Sequence, residues 1–277
     1  MPLTTIFGGS PSTRVIGSGT VISQGLHPTV MEYISIMSSN GGYSMTVNEI
    51  DAINNMVLAL VSNGIWAKLK AIYPVLGGTA ATHKFNLKDP RDANAAFRLT
   101  FTGGWTHSAN GMTPNGLDTT ADTFFVPSVD NVVNSSHMSY YSRTLVSELR
   151  IEMGCYVGNN YNQIAINFGG ITYLNPNNSS GAIDVGFASN SQGFFLASRT
   201  GSNVMYGQRN TFQLAGSVIS ARNNNSIFIG NANGLTNGFV STKQCAFASI
   251  GDGLTTTEGI AFYSIVQAYQ QKLGRAV

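Results

Sequence analysis

The central part of the chain alternates between apolar and polar residues with a period of two. This period is typical of β-strands that bury one face, because successive side chains point to opposite sides of a strand. The predicted strands are residues 83–87, 97–101, 137–143, 149–153, 164–168, 183–187, 204–208, 212–214, 227–229 and 245–250. Turns rich in Asn and Gly separate them, for example at 159–160, 175–178 and 223–225. Short strands at intervals of about 8–12 residues predict a two-sheet sandwich.

A Thr-x-x-Glu capping box opens a helical segment ahead of these strands. Thr46 and Glu49 precede apolar residues at i, i+3 and i+4 steps, and Asn63-Gly64 ends the run. A second short helix is predicted over residues 65–73 because its apolar positions also recur at helical spacing. The two helices would form a hairpin whose apolar faces need a partner.

A second capping box, Thr255 with Glu258, opens the last predicted helix over residues 256–273. The sequence has no strand-helix-strand alternation, so a parallel sheet is not predicted. The predicted fold class is therefore mainly β, an antiparallel jelly-roll β-sandwich flanked by an N-terminal helical hairpin and a C-terminal helix. The predicted domain covers residues 43–277.

Residues 1–42 differ from the rest and are predicted to be an attachment and assembly arm. They are rich in Gly, Ser, Thr and Pro, with possible strands at 15–16 and 20–23 and a short helix at 28–37. Too few apolar side chains are present to bury this arm on itself, since each ordered residue costs about 1–2 kcal/mol of backbone entropy. We expect the arm to pack on the body or on another chain.

The composition indicates where the protein acts more clearly than which reaction or ligand it serves. Charged residues make up 10% of the 277 residues, the net charge is +2, and 43% are hydrophobic. The sequence lacks a basic stripe, so nucleic-acid binding is not predicted. It also lacks the long apolar run of a membrane helix and the leader pattern of a signal peptide, so neither of these is predicted. A surface rich in amides and hydroxyls suits close subunit packing and sugar binding. A protein made in a cytoplasm with such an outward surface is expected to be a virion component.

Several segments resemble a module of phage tail and fibre proteins. Residues 64–74, Gly-Ile-Trp-Ala-Lys-Leu-Lys-Ala-Ile-Tyr-Pro, look like the helix that precedes the body in that family. Further similar segments follow in the same order at 83–90, 134–143, 198–201 and 247–255. The resemblance covers about residues 45–275 and extends to versions from crAss-like and related phages of Bacteroidota. One departure is Arg209-Asn210, where lectin-like hairpins often have Asn-Gly.

The resemblance implies a concanavalin A-like, lectin-type jelly roll in a virion protein without enzymatic activity. A head fibre, a capsid decoration protein and a tail fibre all remain open. The implied partners are other virion proteins, bound through the arm, and further copies of the chain, with a trimer expected by analogy with phage fibres. The alternative is a glycan-binding module that recognises host surface polysaccharide.

No catalytic residues are predicted, because a structural role explains each candidate better. Ser136, His137 and Asp130 could be assembled into a triad, but no nucleophile elbow accompanies them, so structural histidines are expected. Glycoside hydrolysis needs two carboxylates about 5–10 Å apart. Glu148 and Glu152, four residues apart on one predicted strand, would lie about 13 Å apart, which is too far. A polysaccharide depolymerase is accordingly the least favoured alternative.

The sequence gives no metal or cofactor prediction. Asp118, Asp122 and Asp130 lie in a turn-rich segment that could hold calcium, but Asx turns explain them better. Cys155 and Cys245 are read as buried thiols, with a disulfide as the alternative.

A glycan site is predicted in the Asn-rich loops. Most aromatic residues of a sandwich belong to its core, and alternation allows only one of Tyr140 and Tyr141 to be buried there. The proposed ligand-binding residues are Asn159, Asn160, Tyr161, Asn177, Asn178, Asn223, Asn224 and Asn225.

Overall fold

The computed structural model describes residues 14–16, 20–22, 25–179, 190–235 and 238–277. The helices are α1 (Pro28–Ser39), α2 (Val47–Ser62), α3 (Ala80–His83), α4 (Pro127–Asp130) and α5 (Thr256–Lys272). The first strands are β1 (Arg14–Ile16), β2 (Thr20–Ile22), β3 (Leu69–Tyr73), β4 (Thr100–Thr102), β5 (Thr106–Ser108), β6 (Gly111–Thr113), β7 (Thr120–Asp122) and β8 (Ser136–Ser142). The remaining strands are β9 (Met153–Val157), β10 (Asn160–Phe168), β11 (Ile171–Asn178), β12 (Gly193–Arg199), β13 (Met205–Arg209), β14 (Phe212–Gly216), β15 (Phe228–Ile229), β16 (Ala232–Asn233) and β17 (Cys245–Gly251).

Two sheets form the sandwich, which confirms the predicted fold class. The helix-side sheet has the strand order β14-β13-β12-β8-β17-β6-β5, with β3 also paired to β17. The outer sheet has the order β11-β10-β9-β15-β7-β4, with β16 also paired to β9. The strand pairs in both sheets are antiparallel apart from β16 with β9. β1 and β2, close to the strands expected at 15–16 and 20–23, pair with each other as a separate antiparallel ribbon.

Both predicted capping boxes are present. Thr46 accepts a hydrogen bond from the backbone of Glu49, and the Glu49 carboxylate accepts one from the backbone of Thr46. Thr255 and Glu258 do the same at the start of α5. These caps satisfy backbone N–H groups that have no partner within the helix.

The helix-side sheet is buried on both faces. Tyr140 lies in the core between the sheets, whereas its neighbour Tyr141 lies in a second core beneath the helices. Both are fully buried, but only Tyr140 lies in the core of the sandwich, as alternation predicted; the sequence did not predict the second core that covers Tyr141. The second core also holds Phe262 and Val266 of α5 and Val57 of α2, which confirms that the capped helices pack on the β body.

The predicted second helix of the hairpin is wrong. Trp66–Lys68 forms a single 3-10 turn, and Leu69–Tyr73 continues as β3 against β17. This strand sends Ala71 and Tyr73 into one core and Ile72 into the other. Burial on both faces gives a nearly continuous apolar run, which cannot be distinguished from a buried helix by periodicity alone.

Other strand and turn predictions are wrong or displaced elsewhere in the chain. Residues 83–87 are not a strand, because His83 ends α3 and Asn86 makes an isolated bridge. Residues 175–178, predicted as a turn, belong to β11. The strands predicted at 137–143, 164–168, 204–208, 212–214 and 245–250 are confirmed within one or two residues at most ends. The strand predicted at 183–187 lies outside the described residues.

Helix α1 shares the helical core, although it belongs to the segment predicted as an arm. Val30, Tyr33 and Met37 are fully buried in the same cluster as α2. Asn54 of α2 also bonds to the backbone at residues 25 and 27. α1 therefore packs on the body, one of the two packing partners expected for the arm, and the attachment role of residues 1–42 stays a prediction. Most of the residues before α1 lie outside the described part of the chain. Within that described part, no helix has the length and apolarity needed to cross a bilayer.

Candidate functional site

An open groove lies on the face of the outer sheet that points away from the main core. It forms over β9, β10 and β11, where outward side chains alternate with the core residues Ile164 and Ile166. Its volume is about 370 Å³, within the usual range of small-ligand sites, about 300–1,000 Å³. The lining residues are Ile151, Tyr156, Tyr161, Gln163, Ala165, Phe168, Tyr173, Leu235 and Phe239.

Two tyrosines form one end of this groove, here called the tyrosine platform. Tyr156 of β9 stands directly opposite Tyr161 of β10, and their ring centroids are 5.2 Å apart. Both rings are partly exposed. Burial and the neighbouring Tyr156 raise the pKa of Tyr161, so its hydroxyl stays protonated and can both donate and accept hydrogen bonds.

Three further rings form the phenylalanine platform at the other end. Phe168 lies 6.1 Å from Tyr173 and 6.0 Å from Phe239, measured between ring centroids. β10 leaves its regular register between Ala165 and Phe168, and Asn167 has a left-handed φ of 50°. Such an irregularity redirects a side chain at the end of a strand, and here Phe168 becomes part of the groove wall.

The floor of the groove between the two platforms has short or buried side chains and no charge. Gln163 and Ala165 of β10 lie between the platforms, and Gly154 stands opposite Gln163 on β9 without a side chain. None of the described residues that line the groove carries a formal charge. The Arg150 guanidinium, next to Ile151 in the chain, donates to the Gly238 carbonyl at 2.7 Å.

A buried ionic cluster lies close to this groove. Lys243 Nζ is 3.0 Å from an oxygen of Glu148 and 3.0 Å from an oxygen of Glu152. The predicted large separation of these carboxylates is therefore wrong. Residues 148–152 do not form a regular strand, so the strand rise that the prediction assumed does not apply.

The cluster is built for structure rather than for access. The side chains of Lys243 and Glu152 have no exposed area. Burial raises the pKa of Glu152. Lys243 and the hydrogen bonds to the carboxylate lower this pKa, but by less, so the net shift is upward. For Glu148, the ammonium of Lys243 and the bonds from Thr242 outweigh burial and lower the pKa. Both carboxylates are committed to protein partners, including the backbone N–H of Ile166 and the hydroxyl of Ser241 on Glu152.

The predicted asparagine residues divide into two groups. Asn177, Asn178 and Asn223 are buried, and Asn223 donates to the carbonyls of Cys155 and Asn160. Asn177 donates to the side chain of Asn131 and Asn178 to that of Asn175, so all three amides are bonded within the protein and buried away from a ligand. The reason is that an asparagine side chain can satisfy buried backbone groups as well as occupy a turn.

The remaining predicted residues lie at or near the surface. Asn159 and Asn224 are exposed, and Asn160 and Asn225 are partly exposed. Asn225 donates to the backbone carbonyl of Tyr156, so it is bonded to the strand that carries part of the tyrosine platform. Of the eight predicted residues, Tyr161 is the one that lines the groove.

The candidate triad does not assemble. The His137 ring contacts the Asp252 carbonyl at 2.6 Å and the Ser249 hydroxyl at 3.2 Å, not Ser136. Asp130 instead accepts from the backbone of Val126. Burial lowers the pKa of His137 to about 4, which keeps this ring neutral.

The three aspartates of the possible calcium site have separate hydrogen-bonding roles. Asp118 accepts from Asn115, Asp122 from the Phe124 backbone and Asp130 from the Val126 backbone. Across the described ranges, no three His, Cys, Asp or Glu side chains are grouped to hold a metal ion.

The two cysteines are buried thiols, as predicted. Burial raises the pKa of Cys155 and of Cys245 to about 12, so neither is a reactive thiolate.

The sequence contained a signal for the groove that the turn-based prediction did not use. In residues 160–168, alternation that buries Ile164 and Ile166 must turn Tyr161, Gln163 and Ala165 outward. Phe168 and Phe239 could not be found this way, since their proximity depends on the bulge and on packing between distant segments.

Comparison with known proteins reveals likenesses of fold. No protein-family model and no curated protein matches the sequence. Domain 4 of the extracellular arabinanase AbnA from Geobacillus stearothermophilus, solved with arabinotriose, is 14% identical with a TM-score of 0.46, covering 71% of this chain and 98% of that one.

Two further similar structures belong to longer chains. A mutant Trypanosoma rangeli sialidase is 10% identical with a TM-score of 0.49, covering 81% of this chain and 39% of the sialidase. The binding domain of botulinum neurotoxin serotype D is 10% identical with a TM-score of 0.48, covering 74% of this chain and 52% of that one. This chain therefore spans about half or less of those two chains.

Proposed function

We propose that this chain is a carbohydrate-binding β-sandwich module and that the groove on the outer sheet is its binding site. The observation that carries this proposal is the set of partly exposed aromatic rings around a neutral floor. Contiguous exposed apolar surface of this kind marks a binding site in soluble proteins. Aromatic faces pack against the C–H faces of sugars, and tyrosine hydroxyls and Gln163 can supply neutral hydrogen bonds.

We further propose that the module has no catalytic activity. Hydrolysis of a glycosidic bond requires two carboxyl groups that reach the bond from either side. The close carboxylate pair, Glu148 and Glu152, shares the buried Lys243, and Glu152 has no exposed area. The pair is therefore well suited to hold strands and poorly suited to transfer protons to a sugar.

A glycan array probed with the purified chain tests the binding site. We expect the wild-type chain to bind at least one bacterial surface polysaccharide. Tyr161→Ala should weaken that binding about two- to tenfold, because a stacking ring contributes roughly 0.5–1.5 kcal/mol. The matched control is Tyr263→Ala, which removes a partly buried tyrosine from α5, on the far side of the helix-side sheet.

Two results would contradict this function. The first is an array on which the folded chain binds no glycan. The second is binding that Tyr161→Ala and Tyr263→Ala change equally. Thermal melts of both variants must match the wild type, so that a loss of binding reflects the groove and not the fold.

We also propose that the module is displayed on a phage particle as a structural component, attached by the residues before α1. The support is the ordered resemblance to phage tail and fibre modules together with the uncharged, amide-rich composition. Partners would be other virion proteins and further copies of the chain, with a trimer as the expected assembly. Mass spectrometry of purified particles tests this: the chain should be present at stoichiometric copy number, and its absence would refute a virion role.

A further inference from the structure

The two aromatic platforms lie too far apart to be filled by the same small ring. Tyr161 carries the tyrosine platform, and Ala165, four residues further along β10, pairs with Tyr173 of the phenylalanine platform. Four residues of a strand span about 13 Å. Phe168 lies still further along the same strand. A single sugar ring is comparable in size to one aromatic ring, so it can contact one platform at a time.

The surface between the platforms leaves room for a continuous ligand. Gly154 contributes no side chain on β9, and Ala165 contributes a methyl group on β10. Gln163 lies between the two platforms and is only 8% exposed. It therefore places a polar group in the floor of the groove without blocking it. A chain-like ligand can therefore pass from one platform to the other along the direction of β10.

We propose that the groove recognises an internal segment of a polysaccharide, several sugar rings long, that stacks on both platforms at once. This inference rests on the proposed carbohydrate-binding function and specifies its ligand class. The ligand is an extended oligosaccharide rather than a monosaccharide or a lone chain end. Joining two contacts in one molecule makes the second contact intramolecular, so affinity rises steeply once a ligand reaches both platforms.

The platforms also have different chemistry, which gives the ligand a direction. The tyrosine platform offers two hydroxyls beside its rings. The phenylalanine platform offers one hydroxyl, that of Tyr173, beside the rings of Phe168 and Phe239, which stack on each other at an interplanar angle of 16°. One end of the bound segment therefore meets more hydrogen-bonding groups, and the other end meets more apolar surface.

A size ladder of one polysaccharide tests this proposal. The probe is a set of fragments, from monosaccharide to octasaccharide, made by partial acid hydrolysis of the polysaccharide that binds best on the array. Calorimetric titration of the wild-type chain should give an affinity that rises at least about tenfold with length and then reaches a plateau. The plateau marks the length at which both platforms are filled.

Platform variants separate the two contacts. Tyr161→Ala removes part of the tyrosine platform and Tyr173→Ala part of the phenylalanine platform, and Phe168→Ala provides a second variant at that end. Each should bind the longest fragment about two- to tenfold more weakly than wild type and should lose most of the dependence on length. Tyr263→Ala should behave like the wild type, and all four variants are checked by thermal melting.

The outcomes distinguish this proposal from the function on which it rests. If Tyr161→Ala weakens binding while Tyr173→Ala and Phe168→Ala do not, the groove binds sugar at one platform and the two-platform inference is wrong. The same holds if the monosaccharide binds as tightly as the octasaccharide. If all three groove variants bind the polysaccharide as tightly as the wild-type chain does, the groove is not the binding site and the proposed function itself fails.

Discussion

A chain of hydrogen bonds fixes the protonation of two histidines near one end of the sandwich. The backbone N–H of Gly78 donates to His83 Nε2 at 3.1 Å, so the proton of a neutral His83 ring lies on Nδ1. That Nδ1 is 2.9 Å from His107 Nδ1, which must then accept. A proton added to either accepting nitrogen would replace an acceptor by a donor and break the chain.

Burial strengthens this preference for neutral rings. It lowers the pKa of His83 to about 3, with His107 and Arg275 adding to the effect, and it also lowers the pKa of His107. His137 behaves in the same way, with a pKa of about 4. The unfolded chain, with histidine pKa values near 6.5, therefore binds protons that the folded chain does not.

Stability should fall as the pH is lowered from about 7 toward 5. In this window the histidines of the unfolded state gain protons, so the unfolding free energy decreases, and the loss continues until the folded pKa values near 3–4 are reached. Carboxylates with lowered pKa values add their loss mainly below pH 4.5, while Glu152, whose pKa is raised, acts in the opposite direction. Thermal melts at half-unit pH steps measure the effect, and a melting temperature constant from pH 7 to 5 would contradict it.

At the scale of elements, Glu152 replaces a missing strand partner. β9 pairs with β10 from Asn160 to Ile164, and beyond that point the Glu152 carboxylate accepts the N–H of Ile166. Lys243, just before β17, neutralises this carboxylate at 3.0 Å. The ionic cluster thus joins the end of the outer sheet to the segment that enters the helix-side sheet.

Removing the lysine should cost far more than removing a surface lysine. Lys243→Met leaves Glu152 buried without its counter-charge, and breaking a buried pair in this way costs roughly 3–5 kcal/mol. Lys70→Met is the control, because Lys70 is partly exposed and its pair with Asp252 should contribute no more than about 1 kcal/mol. Urea unfolding of both variants measures the difference.

A double variant checks the reason for this cost. If the penalty comes from the uncompensated carboxylate, Lys243→Met combined with Glu152→Gln should recover part of the stability. Equal losses for Lys243→Met and Lys70→Met would mean that the cluster does not hold the strands.

At the scale of the whole molecule, the fold has three layers. The helices α1, α2 and α5 cover one face of the helix-side sheet, and the outer sheet covers the other. The groove lies on the opposite outer surface, behind the β9–β11 strands. The proposed binding site and the helices near the N-terminal segment are therefore on opposite sides of the module, which suits a displayed domain attached by its N-terminal part.

Deletions on either side of α1 should separate folding from assembly. Removing residues 1–42 takes away Val30, Tyr33 and Met37, all fully buried, and each such side chain contributes about 1.5–3 kcal/mol. The longer deletion should therefore lower stability by several kcal/mol, measured by urea unfolding. Removing residues 1–24 retains α1 and should preserve the fold while preventing incorporation into particles. Normal incorporation of the shorter deletion would show that the attachment contacts lie elsewhere.

Local signals in the sequence were sufficient for α2 and α5. Each helix is specified by a capping box within four residues and by apolar positions repeated at helical spacing. Strand β10 was also predictable, because the recurrence of Ile164 and Ile166 with a period of two is a property of the strand itself. The sandwich class followed from the number and spacing of such strands.

The candidate site was predictable in part for the same reason. Alternation along β10 determines that Tyr161 points away from Ile164 and Ile166. The Asn-rich segments misled the prediction because asparagine serves turns and buried polar groups equally well: Asn223 bonds buried backbone carbonyls, and Asn177 bonds the side chain of Asn131. The aromatic neighbours of Tyr161 come from other strands, so sequence spacing does not reveal them.

Tertiary structure alone decided the features that depend on distant partners. β3 is a strand because β17 pairs with it, although its apolar run fits a helix equally well. Glu148 and Glu152 meet because Lys243, 95 and 91 residues away in the chain, binds both. The groove exists because the end of β10 bulges and brings Phe168 against Phe239. Local sequence determines which way a side chain points along its own element, whereas packing determines what it meets there.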